Sequence, residues 1–588
     1  MMRMLKIDKV GPRRWLSVVV FSLGVLACRT LPPHAPGPAP KPASAPEPET
    51  TFVLPQSPEA YASFLQARLN FLDGDTQAAI EKYDAARKLN PESLEINLRL
   101  AQLLLGSGKL NEVLPLAESL VQKHPRSTEA HILLGSVDGA LRRIDPAIEE
   151  YRQVLKLDSK KNEAHLYLGS LLAEKKESAE AEKEFLIFVE VEPQSPLGYY
   201  YLGRMSAERK DWAQAENYYQ KTIERQPTFL AALIELGIIF EFQKKSDQAV
   251  ELYRKALRYF PANPRILERL GQIYVSRNDY KGALEQFKEQ ERFDTDNLDL
   301  RVKIGLLEFE EGDLARAIEE FNFVLTAEPG HPTARYYLAA AYLKSGARDK
   351  AREELEKIES SSPFYPEARI QIAAMQEENG DTAAAILTIQ AAREKTPGEI
   401  GLHRALAHLF FRAKRYAEAK DAVEGGLKLK ADDLVLLYLL GEVYDFMDQD
   451  DLCIETMKKV IRLDPKHADA LNYIGYLYAE KGIKLEEALG LLKKAMEIRP
   501  HDGFITDSFG WVYYQQKNYR KALELIERAF SLVGDDPTIA EHLGDVHSAL
   551  GEREKAIRDY KKSLELKPDP DKDQKRIEEK LKRLENSN

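Results

Sequence analysis

Small, apolar and aromatic positions recur along this chain at one fixed step. Six glycines, Gly135, Gly169, Gly203, Gly237, Gly271 and Gly305, stand 34 residues apart without slippage. Alanines keep the same step from Ala147 through Ala181, Ala215 and onward to Ala419. A third row is aromatic: Tyr151, Phe185, Tyr219, Tyr253, Phe287 and Phe321. Each aromatic follows its alanine by four residues, the spacing that puts two side chains on one face of a helix. Prolines then recur at Pro193, Pro227, Pro261, Pro329, Pro363, Pro397, Pro465 and Pro500. A proline supplies no N–H and stops a helix. Each period therefore predicts two helices, A and B, with the glycine inside A and the alanine and aromatic inside B. A mid-helix glycine costs roughly 1 kcal/mol against alanine. Close approach by a neighbouring helix is the expected compensation, and the aromatic is expected to fill the gap between repeats.

Three rows in phase at this period resemble the tetratricopeptide repeat, a helix–turn–helix unit that cannot bury its apolar faces alone. The resemblance covers almost all of the chain after its N-terminal tail. It implies an all-α fold, a superhelical solenoid of about fifteen repeats, with a concave groove lined by helix A. The first repeat begins near Ala60, and the last ends near Pro570. One register slip occurs. Gly475 to Gly510 is one residue longer than the usual step, and the displaced Ala488 places the extra residue in the turn near Ile483 and Lys484. Gly425 and Gly426 stand together inside a predicted helix B, at a site where other repeats carry Val154, Ala256 or Val324. The pair predicts a joint between an array over 59–399 and another over 400–570, which alanines at both positions are expected to stiffen and stabilise. Residues 571–588 read as a capping helix, with Ile577, Leu581 and Leu584 at helical spacing.

The N-terminus changes the picture. Arg3, Lys6, Lys9, Arg13 and Arg14 precede an apolar run from Trp15 to Leu26, which is short for a membrane span. The run ends in Val25-Leu26-Ala27-Cys28, which resembles the lipobox of bacterial lipoproteins, with Leu26 in place of the usual small residue. The resemblance implies a signal peptide over 1–28 and lipidation of Cys28. An uncleaved anchor is the alternative. Arg29 stands where inner-membrane lipoproteins commonly carry Asp, which favours the outer membrane, facing the periplasm. Residues 29–58 are rich in Pro and Ala and form an extended tether.

Composition narrows the function. The chain has 588 residues and a formal net charge of −11, which argues against a nucleic-acid surface. Of two cysteines, Cys28 is assigned to lipid, and Cys453 occupies the alanine position of its repeat as a small packing residue. His403 and His408, like His542 and His547, miss the four-residue spacing of a helical metal pair. No phosphate loop, nucleophile elbow or HExxH motif occurs. The sequence therefore predicts no enzyme, no cofactor and no metal site.

The family's architecture implies that positions five, nine and twelve of helix A line the groove. In the middle repeats these include Tyr200, Arg204, Ile238, Glu241, Gln272, Phe309 and Tyr336. Toward the C-terminus they are Tyr438, Glu442, Asp445, Asn472, Tyr476, Asp507, Trp511 and Tyr514. Tyr438, Tyr476, Trp511 and Tyr514 are expected to form one aromatic strip, with Asn472 and Asp507 hydrogen-bonding a bound backbone. The segments at 472–476 and 507–514 resemble a recurring pattern of long bacterial repeat lipoproteins. The readings that remain are a lipid-anchored scaffold or adaptor binding proteins or peptides, an assembly factor for a secretin, pilus or polysaccharide exporter, and, least supported, a cell-wall enzyme.

Overall fold

The computed structural model describes residues 57–568 and 573–586. The expected signal peptide, Cys28 and all but the last residues of the expected tether lie outside them. Among the described residues there are 31 helices and no strand. Thirty helices form fifteen A–B pairs from Pro58 to Glu565, and the helix Lys575–Asn586 follows. The described residues fall into two compact units that divide between Leu300 and Arg301, not at the 399/400 boundary expected from the glycine pair.

The glycine and aromatic rows turn out to be two halves of one contact. A Cβ on Gly169 would lie 2.7 Å from the ring of Phe185, and one on Gly237 would run into that of Tyr253. Gly135 faces Tyr151, Gly271 faces Phe287, Gly305 faces Phe321 and Gly544 faces Tyr560 in the same way. The aromatic thus seats itself on the glycine of its own repeat, instead of filling a gap between repeats. Tyr219, Tyr253, Phe185, Phe287 and Phe321 are all fully buried there. Where the ring is replaced, another side chain takes its seat: Met457 on Gly441, Leu492 on Gly475 and Ile526 on Gly510. The alanines of the second row are buried, as is Cys453 in the same role.

Another row lies in the turns. The residue after the C-cap of helix A adopts positive φ in each A–B turn: Lys176 at 67°, Lys210 at 62°, Lys244 at 58°, Gly312 at 88° and Gly346 at 85° are examples. The extra residue of the register slip falls here. Four residues separate Ala468–Glu480 from Leu485–Ile498, where the neighbouring repeat ending in Asp450–Leu463 has three, and both Gly482 and Lys484 have positive φ. Side-chain caps start many of the helices, such as Asp211 accepting from the Gln214 amide and Asp433 from the Leu436 amide. Each such cap stabilises its helix by about 1 kcal/mol.

The glycine pair sits within an unbroken helix, Tyr416–Leu429. A Cβ on Gly426 would lie 2.5 Å from Leu436 Cδ1, and one on Gly425 would lie 3.0 Å from the His403 ring. These glycines admit neighbouring side chains, so alanine at Gly426 must displace Leu436, which opposes the gain in stability expected of a free joint.

Candidate binding face of the C-terminal repeats

Position four of helix A carries a polar device in four of the middle repeats, those of His131, His165, Arg301 and Arg335. His131 Nδ1 lies 2.6 Å from Glu150 and its Nε2 lies 3.1 Å from the Pro125 carbonyl. His165 makes the same pair of contacts, with Glu184 at 2.6 Å and the Ser159 carbonyl at 3.3 Å. Arg335 repeats it with Glu354 at 2.5 Å and the Pro329 carbonyl, and Arg301 reaches Glu320 at 2.8 Å. Both ring nitrogens of these histidines face acceptors, in the place where Arg335 sets its guanidinium. The hydrogen bond to Glu184 raises the His165 pKa, against burial, which lowers it. Each lock ties helix A to helix B of one repeat.

The expected groove residues of these repeats are largely engaged by neighbouring side chains or buried. Tyr200 packs on Phe229 at 4.9 Å between ring centroids, and Tyr336 stacks on Phe364 at 4.8 Å. Glu241 accepts from the Tyr253 hydroxyl at 2.6 Å and from Arg269 at 3.2 Å. Gln272 donates to Glu268 at 2.6 Å, Arg204 lies 3.9 Å from Glu208, and Ile238 and Phe309 are buried.

From Leu434 onward position four is apolar or small, as Leu437, Leu471 and Ala540 show, and the polar groups appear between successive A helices. Asp507 receives the Nδ1–H of His542, 2.9 Å away on the next A helix. The His542 ring stacks on Trp511 at 3.9 Å, and Trp511 stacks on Tyr514 at 4.5 Å. Tyr476 meets the other side of this group, 6.3 Å from His542. Burial opposes the charge on His542, but the carboxylates of Asp507, Asp545 and Glu541 outweigh it and raise its pKa. The terminal helix continues the scheme. Arg576 forks onto Glu541 at 2.8 and 2.7 Å, and Lys580 bridges Glu541 and Asp545 at 2.8 and 2.7 Å. Burial opposes ionisation of Glu541, and these two cations overcome it, holding the carboxyl below its ordinary range.

The six sequence-predicted groove residues therefore fall into two groups. Tyr438 stacks on His467 at 5.3 Å and meets Tyr473 edge-on at 6.2 Å. Tyr476, Trp511 and Tyr514 gather around His542, to which the sequence pattern gives no role at the groove. No ring contact joins Tyr438 to Tyr476 among the described residues, so the strip is two clusters. Asp507 accepts from His542, which occupies part of its acceptor capacity. Asn472 is 5% exposed and its Oδ1 meets no donor, while the Nε1–H of buried Trp511 meets no acceptor. Tyr476, Phe504, Asp507, Ser508 and Ile539 line a shallow cleft beside them.

This paired-helix architecture is that of a repeat solenoid. Tetratricopeptide-repeat family models match residues 71–137 and 308–376, 134–187 and 234–296, 198–228, and 434–467 and 539–570. The chain belongs to the tetratricopeptide-repeat family, whose members mediate protein–protein interactions. A TPR repeat-containing protein of Pseudomonas aeruginosa is 31% identical over 170 residues, which is 28% of each chain. TPR repeat-containing protein YpiA of Bacillus subtilis is 25% identical over 202 residues, 33% of this chain and 45% of that one. The chain thus matches under half the length of these relatives. Among solved structures, a tetratricopeptide repeat protein from Parabacteroides merdae shares 16% identity with a TM-score of 0.34, covering 49% of this chain and 99% of its own.

Proposed function

We propose that this protein is a lipid-anchored scaffold of the bacterial envelope, facing the periplasm, that holds a protein segment against the A helices of its C-terminal repeats. It works as a binding module without catalysis. The observation that carries the reading is the pair of buried, unpaired groups on adjacent A helices. Asn472 Oδ1 is an acceptor and Trp511 Nε1–H is a donor. A peptide group offers the complementary N–H and C=O, and leaving either side unmade costs about 1–3 kcal/mol. Tyr438, Tyr476 and Tyr514 are half-buried around them, in the manner of aromatic anchors.

The basic region, apolar run and Cys28 support the anchor, and the Pro/Ala-rich tether supports a folded part held off the membrane. Metabolic labelling with a fatty-acid analogue is expected to tag the wild type and spare Cys28→Ser. Equal labelling of both removes the anchor from the account. For the groove, Tyr476→Ala is expected to abolish capture of envelope proteins while leaving the thermal melt in place. Capture that survives the substitution counts against it.

A further inference from the structure

We propose that the face formed by Tyr438, Glu442, Asp445 and Asn472 receives a lysine or arginine side chain of the bound segment. This rests on the groove reading above and specifies its partner.

The warrant is a cation site that this chain fills elsewhere and leaves empty here. At the twelfth position of its helix, Glu241 is met by Arg269 of the following A helix. At the fifth and ninth positions, Glu541 and Asp545 are met by Arg576 and Lys580. Glu442 and Asp445 hold the ninth and twelfth positions of Leu434–Phe446, and no cation among the described residues pairs with either. Asp445 accepts only the Tyr473 hydroxyl, at 2.7 Å. Asp469 on the following A helix is engaged by Arg499. One turn beyond Asp469 on the same face, Asn472 contributes its unpaired, buried Oδ1. Three acceptors on two helices thus lack a paired cation, and one of them, Asn472 Oδ1, meets no donor at all. Tyr438, backed by His467 and Tyr473, supplies an aromatic face suited to a cation.

The charge state agrees with this geometry. Burial pushes the Glu442 carboxyl up to about 8, and the facing Asp469 and Asp445 add to it. The other titratable or charged groups around it are Tyr438, Tyr473, His467 and Cys453, with Arg499 and Lys481 acting from farther off, each already paired, with Asp469 and Asp450. Burial raises Tyr438 and Tyr473 well above their usual range and Cys453 to about 12. An incoming cation favours ionised Glu442, so binding releases its proton. Affinity for a cationic peptide rises with pH up to about 8 and then levels.

The test uses an array of random synthetic peptides of about twelve residues with blocked termini, probed with the protein. Bound peptides are expected to be enriched in Lys and Arg. The enrichment disappears in Glu442→Gln, which copies the protonated carboxyl in shape, and in the double variant with Asp445→Asn. A captured arginine peptide tightens by about tenfold or more from pH 6 to pH 9, because only the ionised site binds it well. Capture without Lys or Arg preference, or a preference that both variants retain, overturns the cation site. If that capture is still lost in Tyr476→Ala, the groove reading survives alone. An array with no captured peptide contradicts both.

Discussion

The repeats from Thr128 to Glu356 and those from Leu434 onward share one backbone plan and differ in where they spend their polar groups. In the first set, His131, His165, Arg301 and Arg335 face inward to a glutamate of their own helix B. In the second set, Tyr473, His542, Arg576 and Lys580 reach back to carboxylates on the preceding A helix. The first arrangement closes four of these repeats upon themselves, although Arg269 also reaches back to Glu241 on the A helix before it. The second couples neighbouring repeats across the face where a partner segment would lie, and leaves Glu442, Asn472 and Trp511 incompletely satisfied. A repeat array can therefore divide its labour by moving a few polar side chains between positions of helix A, with the apolar frame kept.

The largest expected break of the contrast is Trp511→Ala. It removes a ring stacked between His542 and Tyr514, and the C-terminal unit is expected to lose about 3–5 kcal/mol, read by hydrogen exchange of residues 503–565. The N-terminal unit keeps its protection, since each repeat contacts chiefly its neighbours. Next in size is Gly237→Ala, which drives a methyl into the Tyr253 ring and is expected to cost about 1–3 kcal/mol despite the better helix propensity. Gly426→Ala meets Leu436 and is expected to lower the melting temperature as well. An increase there would restore the view of this pair as a joint.

pH acts on both sets, since His165 in the first and His542 in the second both have raised pKa values. The folded pKa of His165 is raised, so its lock is fully present below the unfolded value of about 6.5 and is lost as pH climbs through the folded value. Arg335 holds its glutamate through the same range. Protection measured between about pH 6 and pH 9 is expected to fall around His165 and stay level around Arg335. The terminal helix adds a lower edge. Glu541 is depressed, so its stabilisation is present above the ordinary carboxylate range and lost as pH falls through the folded value. Glu442 has the opposite sign. Its pKa is raised to about 8, so the cost of its charge grows above about 4.5 and is complete above 8. Glu442→Gln is expected to stabilise the C-terminal unit at pH 9 and leave it unchanged at pH 4, by thermal melt. The smallest effect belongs to the turns. Lys210→Gly relieves a left-handed backbone at φ 62° and is expected to change stability by about 1 kcal/mol or less, because glycine also loosens the unfolded chain.

Much of the frame was legible because its rows recur. Glycine, alanine and aromatic positions repeat often enough to specify paired helices, and the longer Gly475–Gly510 step located an inserted turn residue. Other equally periodic signals were there to be found. Asn97, His131, His165, Arg301, Arg335, Arg369 and His403 stand on the same step, but the change of residue type hides their shared role as side-chain donors. The positive-φ row is concealed likewise, because lysine, arginine, asparagine, aspartate and glycine all occupy it. The site was less legible for a physical reason. Position five, nine or twelve tells which face a side chain is on, not whether a neighbour has already taken its polar atoms. Asp507 and His542 lie 35 residues apart in single copies, and only their distance shows that one hydrogen-bonds the other. The gap between Tyr438 and Tyr476 arises in the same way, since Tyr438 turns to His467 and Tyr473.

The central claim is that the C-terminal A-helix face, and not its N-terminal counterpart, carries the partner. The most direct measurement places a photo-crosslinking phenylalanine analogue at Tyr438 in one variant and at Tyr200 in another, both of which keep a ring at the fifth position of helix A. Irradiation of intact cells producing each variant is followed by separation of covalent adducts. Discrete protein adducts at Tyr438, with none at Tyr200, are the predicted result. Adducts at Tyr200 alone, or equal adducts at both, would contradict it.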